Sequence, residues 1–173
     1  MTKDSNEHKQ EFAMRISNFQ GELHGSLRCG FSTRIDRELD KIYRNAFVGQ
    51  ECRTTFGDVP IHLLGEGDNV FYVFVHLLNH FYKGGVGIRQ ICDWCRLLWT
   101  FRESLDRGAM ESRLKKMRLM SEWRSFGTFA VEYLGMPAEA MPFYSDDEKW
   151  RRKARQILAF VLKVGNLGAN RKG

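Results

Sequence analysis

Two apolar runs with helical spacing meet at a glycine-rich joint in residues 75–98, VHLLNHFYKGGVGIRQICDWCRLL. Glycine accepts the left-handed backbone that a helix end often requires, so the three glycines of this joint predict that one helix stops there and another begins. The apolar spacing extends the two helices over about 69–82 and 87–102. The chain is therefore expected to contain a helical hairpin with His, Arg and Asp side chains near its joint.

Helical spacing recurs in the carboxyl-terminal part, whereas the amino-terminal part mixes both periods. Apolar residues with helical spacing predict three further helices, at about 109–117, 121–134 and from a cap at Ser145 or Asp146 to 164. Before the hairpin we predict a strand within 13–27, a helix at 34–47 capped by Ser32 or Thr33, and a β-hairpin within 52–64 that turns at Gly57-Asp58. The predicted fold is mainly α (α+β), an irregular helical bundle with a small amino-terminal β portion, divided into residues 1–66 and 67–173.

Composition narrows the class of protein. A hydrophobic content of 43% is enough for a folded core. No apolar run approaches the ~20 residues of a membrane span, and the amino terminus lacks the apolar core of a secretory signal. Four cysteines without such a signal favour reduced thiols, so we expect a cytoplasmic protein with no membrane partner. The net charge of +6 favours acidic or phosphorylated partners without choosing among them.

The polar residues of the hairpin allow more than one function. His76 and His80 lie four residues apart, so one helix face could present both to a metal ion, with Asp93 as a further ligand in a metal hydrolase. Alternatively, the histidines form hydrogen bonds within a helix packing seam. Asp93 also lies four residues after Arg89 and three before Arg96, which predicts an ion-pair cluster or, alternatively, arginines that bind a phosphate or sugar.

Two other patterns have structural and functional interpretations. Cys92 and Cys95 form a C-x-x-C inside a helix, and we interpret both as small core residues because redox pairs usually sit at a helix start. The basic clusters 113–118 (RLKKMR) and 149–155 (KWRRKAR) could neutralise phosphates of a nucleic acid. Solvated faces of amphipathic helices would have the same composition, and another acidic partner is a further possibility.

A family resemblance depends on four segments taken in order. They are Glu22-Leu23-His24, 75–81 (VHLLNHF), 85–94 (GVGIRQICDW) and 165–168 (GNLG). Together they resemble an uncharacterised bacterial nucleotidyltransferase-like family, in which a polymerase-beta-type catalytic domain is joined to a helical region with a similar His, Gly-x-Gly-Leu-Arg and Asp pattern. The resemblance covers about residues 12–168. It implies that the chain looks like the back half of such a protein, and that residues 1–66 are the remnant of a nucleotidyltransferase core.

The resemblance also implies metal-assisted nucleotidyl transfer, in which carboxylates hold two Mg²⁺ ions that bridge the nucleotide phosphates. That chemistry requires a Gly-Ser turn followed by Asp-x-Asp, but no Asp-x-Asp follows Gly25-Ser26. Only Glu22 matches a carboxylate of the family pattern, as a catalytic metal ligand on a later strand. Alternatively, Glu22 is a solvent-facing strand residue. Mg²⁺ is therefore expected only if the missing motif is supplied by another segment.

Two function classes follow from these observations. In the first, the chain is a fragment or a degenerate member of the family, inactive alone, whose helical part positions an acceptor for nucleotidyl transfer. The resemblance then implies a nucleotide and an unknown acceptor as partners, with substrate-binding residues His76, His80, Arg89 and Asp93. In the second, a non-enzymatic helical module binds a protein or nucleic-acid partner through its basic helices.

Overall fold

The chain divides into two units, Met1–Gly65 and Glu66–Gly173. The computed structural model describes residues 11–16, 19–24, 26–48 and 53–164. Helices and short antiparallel hairpins make up the described elements, so the predicted mainly α class with a small amino-terminal β portion is confirmed. The interpretation of residues 1–66 as the remnant of a nucleotidyltransferase core stays a prediction.

The first hairpin of the amino-terminal unit joins β1 (Glu11–Ile16) and β2 (Phe19–His24). The two strands are antiparallel, and Glu22 lies opposite Ala13. The prediction of one strand within 13–27 is therefore wrong, because the structure has two strands. Both strands share the alternating pattern of side chains, and that pattern does not show where the first one ends.

A helix and a second hairpin complete the described part of this unit. Helix α1 spans Thr33–Tyr43 and continues as a π-helical turn, Arg44–Val48. The predicted cap is confirmed, because the backbone N–H of Ile35 donates to Ser32 Oγ at 3.3 Å. Strands β3 (Arg53–Phe56) and β4 (Val59–His62) pair around the predicted turn, where Gly57 adopts a φ of +61°.

The carboxyl-terminal unit is helical in its described residues. Its helices are α2 (Glu66–Lys83), α3 (Ile88–Thr100), α4 (Arg107–Met117), α5 (Met120–Leu134) and α6 (Glu148–Val164), with a 3₁₀ turn at Ala138–Ala140. Helix α5 packs against α3, α4 and α6. The start of α6 is capped by Asp147 rather than by Ser145 or Asp146, since Asp147 Oδ1 accepts a hydrogen bond from the backbone N–H of Lys149 at 2.9 Å.

The glycine joint forms as predicted between α2 and α3. Gly85 has a φ of +126°, and its N–H donates to the carbonyl of His80 at 3.0 Å, which closes the end of α2. Gly87 then begins α3, where its N–H donates to Gln90 Oε1 at 3.1 Å. The two helices pack against each other, so the predicted helical hairpin is confirmed.

The core of the carboxyl-terminal unit is an aromatic cluster contributed by α2, α3 and α5. Phe74, Trp94 and Trp123 are fully buried, and the ring centroid of Phe74 lies 5.0 Å from that of Trp94. Burying such large side chains removes much apolar surface from water, which stabilises the packing of the three helices. None of the helices among the described residues combines the length and hydropathy that crossing a membrane would require.

Candidate functional site

The two histidines of α2 form a hydrogen-bonded pair. Their Nε2 atoms lie 2.8 Å apart, and the ring of Tyr72 lies 6.0 Å from that of His76. Spacing of four residues stacks side chains on one helix face, so His76 and His80 meet. Around this pair, the described part of the chain contains no group of three His, Cys, Asp or Glu residues that could hold a metal ion.

The charged residues of α3 face solvent. Arg89, Asp93 and Arg96 are exposed, and no salt bridge joins them within the residues that the structure describes. The predicted ion-pair cluster is therefore wrong. The charged residues face solvent because the opposite face of α3 packs into the core, where Trp94 and other apolar residues are buried. A substrate-binding role for Arg89 and Asp93 stays a prediction.

Because Asp93 is exposed and unpaired, we expect Asp93→Ala to change the free energy of unfolding by less than about 0.5 kcal/mol. Asp106 is a matched control that is also exposed but caps α4, since its Oδ1 accepts from the backbone N–H of Ala109 at 2.9 Å. Asp106→Ala should cost about 1 kcal/mol. Urea unfolding followed by circular dichroism measures both changes. A larger loss for Asp93→Ala than for Asp106→Ala would contradict the exposed position of Asp93.

The carboxylates of α1 are engaged in local contacts. Asp36 Oδ1 accepts hydrogen bonds from the backbone N–H groups of Cys29 and Gly30, at 3.2 and 3.1 Å. Asp40 binds the guanidinium of Arg28 through both carboxylate oxygens. These contacts fix the loop before α1 and engage Oδ1 of Asp36 and both carboxylate oxygens of Asp40. The backbone places Glu22 on β2, but its side chain lies outside the described part of the structure.

The C-x-x-C pair of α3 is divided between core and surface. Cys95 is buried, and burial, with a smaller contribution from Cys92, raises the pKa of its thiol to about 12. At neutral pH this thiol is therefore protonated and is a poor nucleophile. Cys92 is exposed, so its interpretation as a core residue is wrong.

Much of the charge in the basic clusters is already paired. On α4, Arg113 lies 2.7 Å from Asp68 and Lys115 lies 2.7 Å from Glu111. On α6, Arg151 contacts Glu132 at 2.8 Å and Arg155 contacts Glu148 at 2.5 Å. Such pairs lower the positive charge that these helices present to a phosphate backbone.

The structure reveals a pocket that the sequence did not predict. It has a volume of about 370 Å³ and lies where the end of α2 meets α5 and α6. Aromatic side chains form much of its wall, and the polar groups include Glu122, Lys153 and Ser121. None of the predicted substrate-binding residues lines it, although His80 directly precedes the lining residue Phe81.

One carboxylate oxygen of this pocket lacks a partner. Glu122 Oε2 is buried and has no hydrogen-bond donor among the described residues. Burial raises the pKa of Tyr82, and the negative charge of Glu122 raises it further. Nearby, Lys153 Nζ donates to Ser121 Oγ at 2.7 Å. The pocket thus presents an acceptor without a donor inside an aromatic wall.

Comparison with known proteins decides the family. The pattern of the family described as uncharacterised nucleotidyltransferase matches residues 5–135, which is most of the chain. The chain belongs to that family. No curated protein and no solved structure matches it.

The nucleotidyltransferase family match covers the amino-terminal unit and the hairpin, and it ends just after α5. Glu22, His76, His80, Arg89 and Asp93 all lie inside the matched range. Residues 165–168, which contributed to the resemblance, lie outside it, as does α6. The pocket therefore combines walls from matched helices with one wall that the family pattern does not include.

Proposed function

We propose that the helical unit of this nucleotidyltransferase-family protein positions an acceptor substrate for nucleotidyl transfer. We also propose that the 173 residues alone do not transfer a nucleotide. The observation that carries the proposal is the engagement of the carboxylates of α1. Asp36 binds backbone N–H groups and Asp40 binds Arg28. In addition, Asp-x-Asp is missing from the sequence, and the described residues contain no group of three or more carboxylates that could hold a metal ion.

Nucleotidyl transfer of this type depends on carboxylates that hold metal ions. Nucleotidyl transfer of this type places two Mg²⁺ ions between several carboxylates and the nucleotide phosphates, because hard cations prefer oxygen ligands and the phosphates need their charge neutralised. The described donor set does not fit such a pair of ions, and a single carboxylate at Glu22 would not hold it. We therefore assign Mg²⁺ only to a catalytic motif supplied by another segment, with the chain as a fragment or a degenerate member.

The acceptor contacts we propose are His76, His80, Arg89 and Asp93. The Nε2 atoms of the histidine pair are already within hydrogen-bond distance, at 2.8 Å. Arg89 is exposed and forms no ion pair among the described residues, so its planar guanidinium remains available for a phosphate or a sugar hydroxyl. These features support contact with a polar acceptor, and a nucleotide is the co-substrate that the family name implies.

We expect the purified chain to incorporate no radiolabelled nucleoside triphosphate in the presence of Mg²⁺, because its described residues contain no group of three carboxylates that could hold the ions. Incorporation is measured by gel autoradiography of the protein and of added cell extract, with EDTA as the background. Circular dichroism of the same sample controls for folding. Robust Mg²⁺-dependent incorporation would overturn the proposal. Labelling that appears when a neighbouring gene product with Gly-Ser and Asp-x-Asp is added would support the fragment form of it.

The alternative function is a non-enzymatic module that binds a protein or nucleic acid through α4 and α6. The ion pairs of Arg113, Lys115, Arg151 and Arg155 count against nucleic acid, since they reduce the unpaired charge on both helices. A salt-sensitive gel shift with random oligonucleotides would favour this alternative. For either function we propose a cytoplasmic, bacterial protein, and the free thiols of Cys92 and Cys95 support a reducing compartment.

A further inference from the structure

Three aromatic rings from three helices line the pocket of the carboxyl-terminal unit. The ring centroid of Phe81 on α2 lies 5.2 Å from that of Phe126 on α5 and 4.7 Å from that of Phe160 on α6. With a volume of about 370 Å³, the pocket has the size and the mainly apolar wall of a site for a small organic molecule. The aromatic faces carry negative partial charge, so they favour a cationic ligand over an anionic one.

Glu122 places an acceptor in this apolar wall. Its Oε2 is buried without a hydrogen-bond partner among the described residues, although the side chain as a whole is only partly buried. A buried carboxylate oxygen that has lost water without gaining a donor is unfavourable. A ligand that brings an N–H group to this oxygen would remove that cost and would form a charge-assisted hydrogen bond.

The cationic side chain in the pocket wall, Lys153, is held by other groups. Lys153 Nζ donates to Ser121 Oγ at 2.7 Å and lies 5.2 Å from the centroid of the Trp150 ring. No salt bridge joins Lys153 to Glu122 within the described residues, although both line the same pocket. The negative charge of Glu122 is therefore not neutralised by its neighbour and remains available to a ligand.

We propose that this pocket binds a small organic cation, an amine carried on an aromatic or apolar group. The ammonium donates to Glu122, and the apolar body lies against the rings of Phe81, Phe126 and Phe160. Lys153, which contacts Ser121 and Trp150, also lines the pocket. Because its positive charge attracts anions, preferred binding of an anionic ligand is the competing outcome of the test. The inference goes beyond nucleotidyl transfer and is independent of it, because it concerns binding alone.

Three probes of similar size and different charge test the proposal: phenethylamine, phenethyl alcohol and hydrocinnamate. Each is titrated into the full chain, and the dissociation constant is measured by protein-observed NMR. We expect phenethylamine to bind about tenfold or more tightly than the neutral alcohol, because it alone forms a charge-assisted hydrogen bond with Glu122. Hydrocinnamate should bind most weakly.

Variants assign the preference to Glu122. Glu122→Gln removes the charge with little change in shape, and it should abolish the preference for phenethylamine over the alcohol. Glu132→Gln is the matched control on the same helix, because Glu132 pairs with Arg151 at 2.8 Å and does not line the pocket. It should keep the preference of the unmodified protein. Thermal unfolding confirms that both variants are folded.

Three results would overturn the inference. They are equal affinity of the unmodified protein for the amine and the alcohol, tightest binding of hydrocinnamate, and a preference for the amine that survives Glu122→Gln. Absence of binding by every probe at millimolar concentration would be a fourth such result. The ranking of the probes on the unmodified protein tests the proposal even if Glu122→Gln fails to fold.

Discussion

Trp123→Ala is expected to lower the free energy of unfolding of the carboxyl-terminal unit by about 3–5 kcal/mol. Trp123 is fully buried on α5, and its ring centroid lies 4.9 Å from that of Phe74 on α2 and 4.9 Å from that of Trp94 on α3. The indole therefore joins three helices through edge-to-face contacts. Its removal leaves a cavity at this junction that the surrounding helices can fill only in part.

A polar contact adds to the loss. Trp123 Nε1 donates to the backbone carbonyl of Pro142 at 2.8 Å in a buried position. Truncation leaves that carbonyl without its donor, which is unfavourable inside a protein. Trp123→Phe would keep most of the ring contacts and lose this hydrogen bond, so its cost should be smaller than that of Trp123→Ala.

Urea unfolding followed by far-ultraviolet circular dichroism measures the change without relying on tryptophan fluorescence. Trp99→Ala is the matched control, since Trp99 on α3 is 45% exposed and contacts the guanidinium of Arg102 at 4.3 Å from its ring centroid. Its loss should cost less than about 1 kcal/mol. Equal losses for the two alanine variants would show that Trp123 does not hold the three helices together.

Local spacing was enough to predict the helices of this protein. The joint between α2 and α3 followed from glycines that end one helix and begin the next, and the structure places Gly85 and Gly87 in those roles. The spacing does not fix the helix ends, because several residues near a boundary can cap. Asp147 caps α6, although Ser145 and Asp146 have equally suitable side chains.

In the candidate site, the sequence predicts contacts between residues of the same helix but not contacts between helices. Spacing of four residues indicates that His76 and His80 meet, and their Nε2 atoms do lie 2.8 Å apart. The same spacing in α3 does not reveal which face is buried. Packing of Trp94 decides that question and leaves Asp93 exposed.

The pocket could not be predicted from the sequence because its walls come from distant segments. Tyr82, Glu122 and Lys153 lie on three helices and form no local motif. In the sequence, Lys153 is part of the basic cluster 149–155, and no pattern singles out Glu122, which lies in the first turn of α5. Only the tertiary packing of α2, α5 and α6 shows that these side chains share one cavity.

Gly127→Val is expected to lower the free energy of unfolding by about 1–3 kcal/mol, because a side chain at this position of α5 would displace the buried side chain of Met141. A Cβ atom at Gly127 would lie 2.9 Å from Met141 Cε and 3.2 Å from its Cγ, and Met141 is 2% exposed. Gly67 in α2 is the matched control, since a Cβ there would meet Leu105 Cδ1 at an ordinary 3.9 Å. Gly67→Val should change stability by less than about 1 kcal/mol.

Pairing Gly127→Val with Met141→Ala tests whether the clash is the cause. Met141→Ala alone removes a buried side chain and should cost about 2–5 kcal/mol, but in the double variant the valine fills part of the cavity. Urea unfolding of the four proteins should therefore give a combined loss that is smaller than the sum of the single losses by about 0.5–3 kcal/mol. Additive losses would mean that Gly127 is required for a reason other than its contact with Met141, because two side chains that compete for one space must couple.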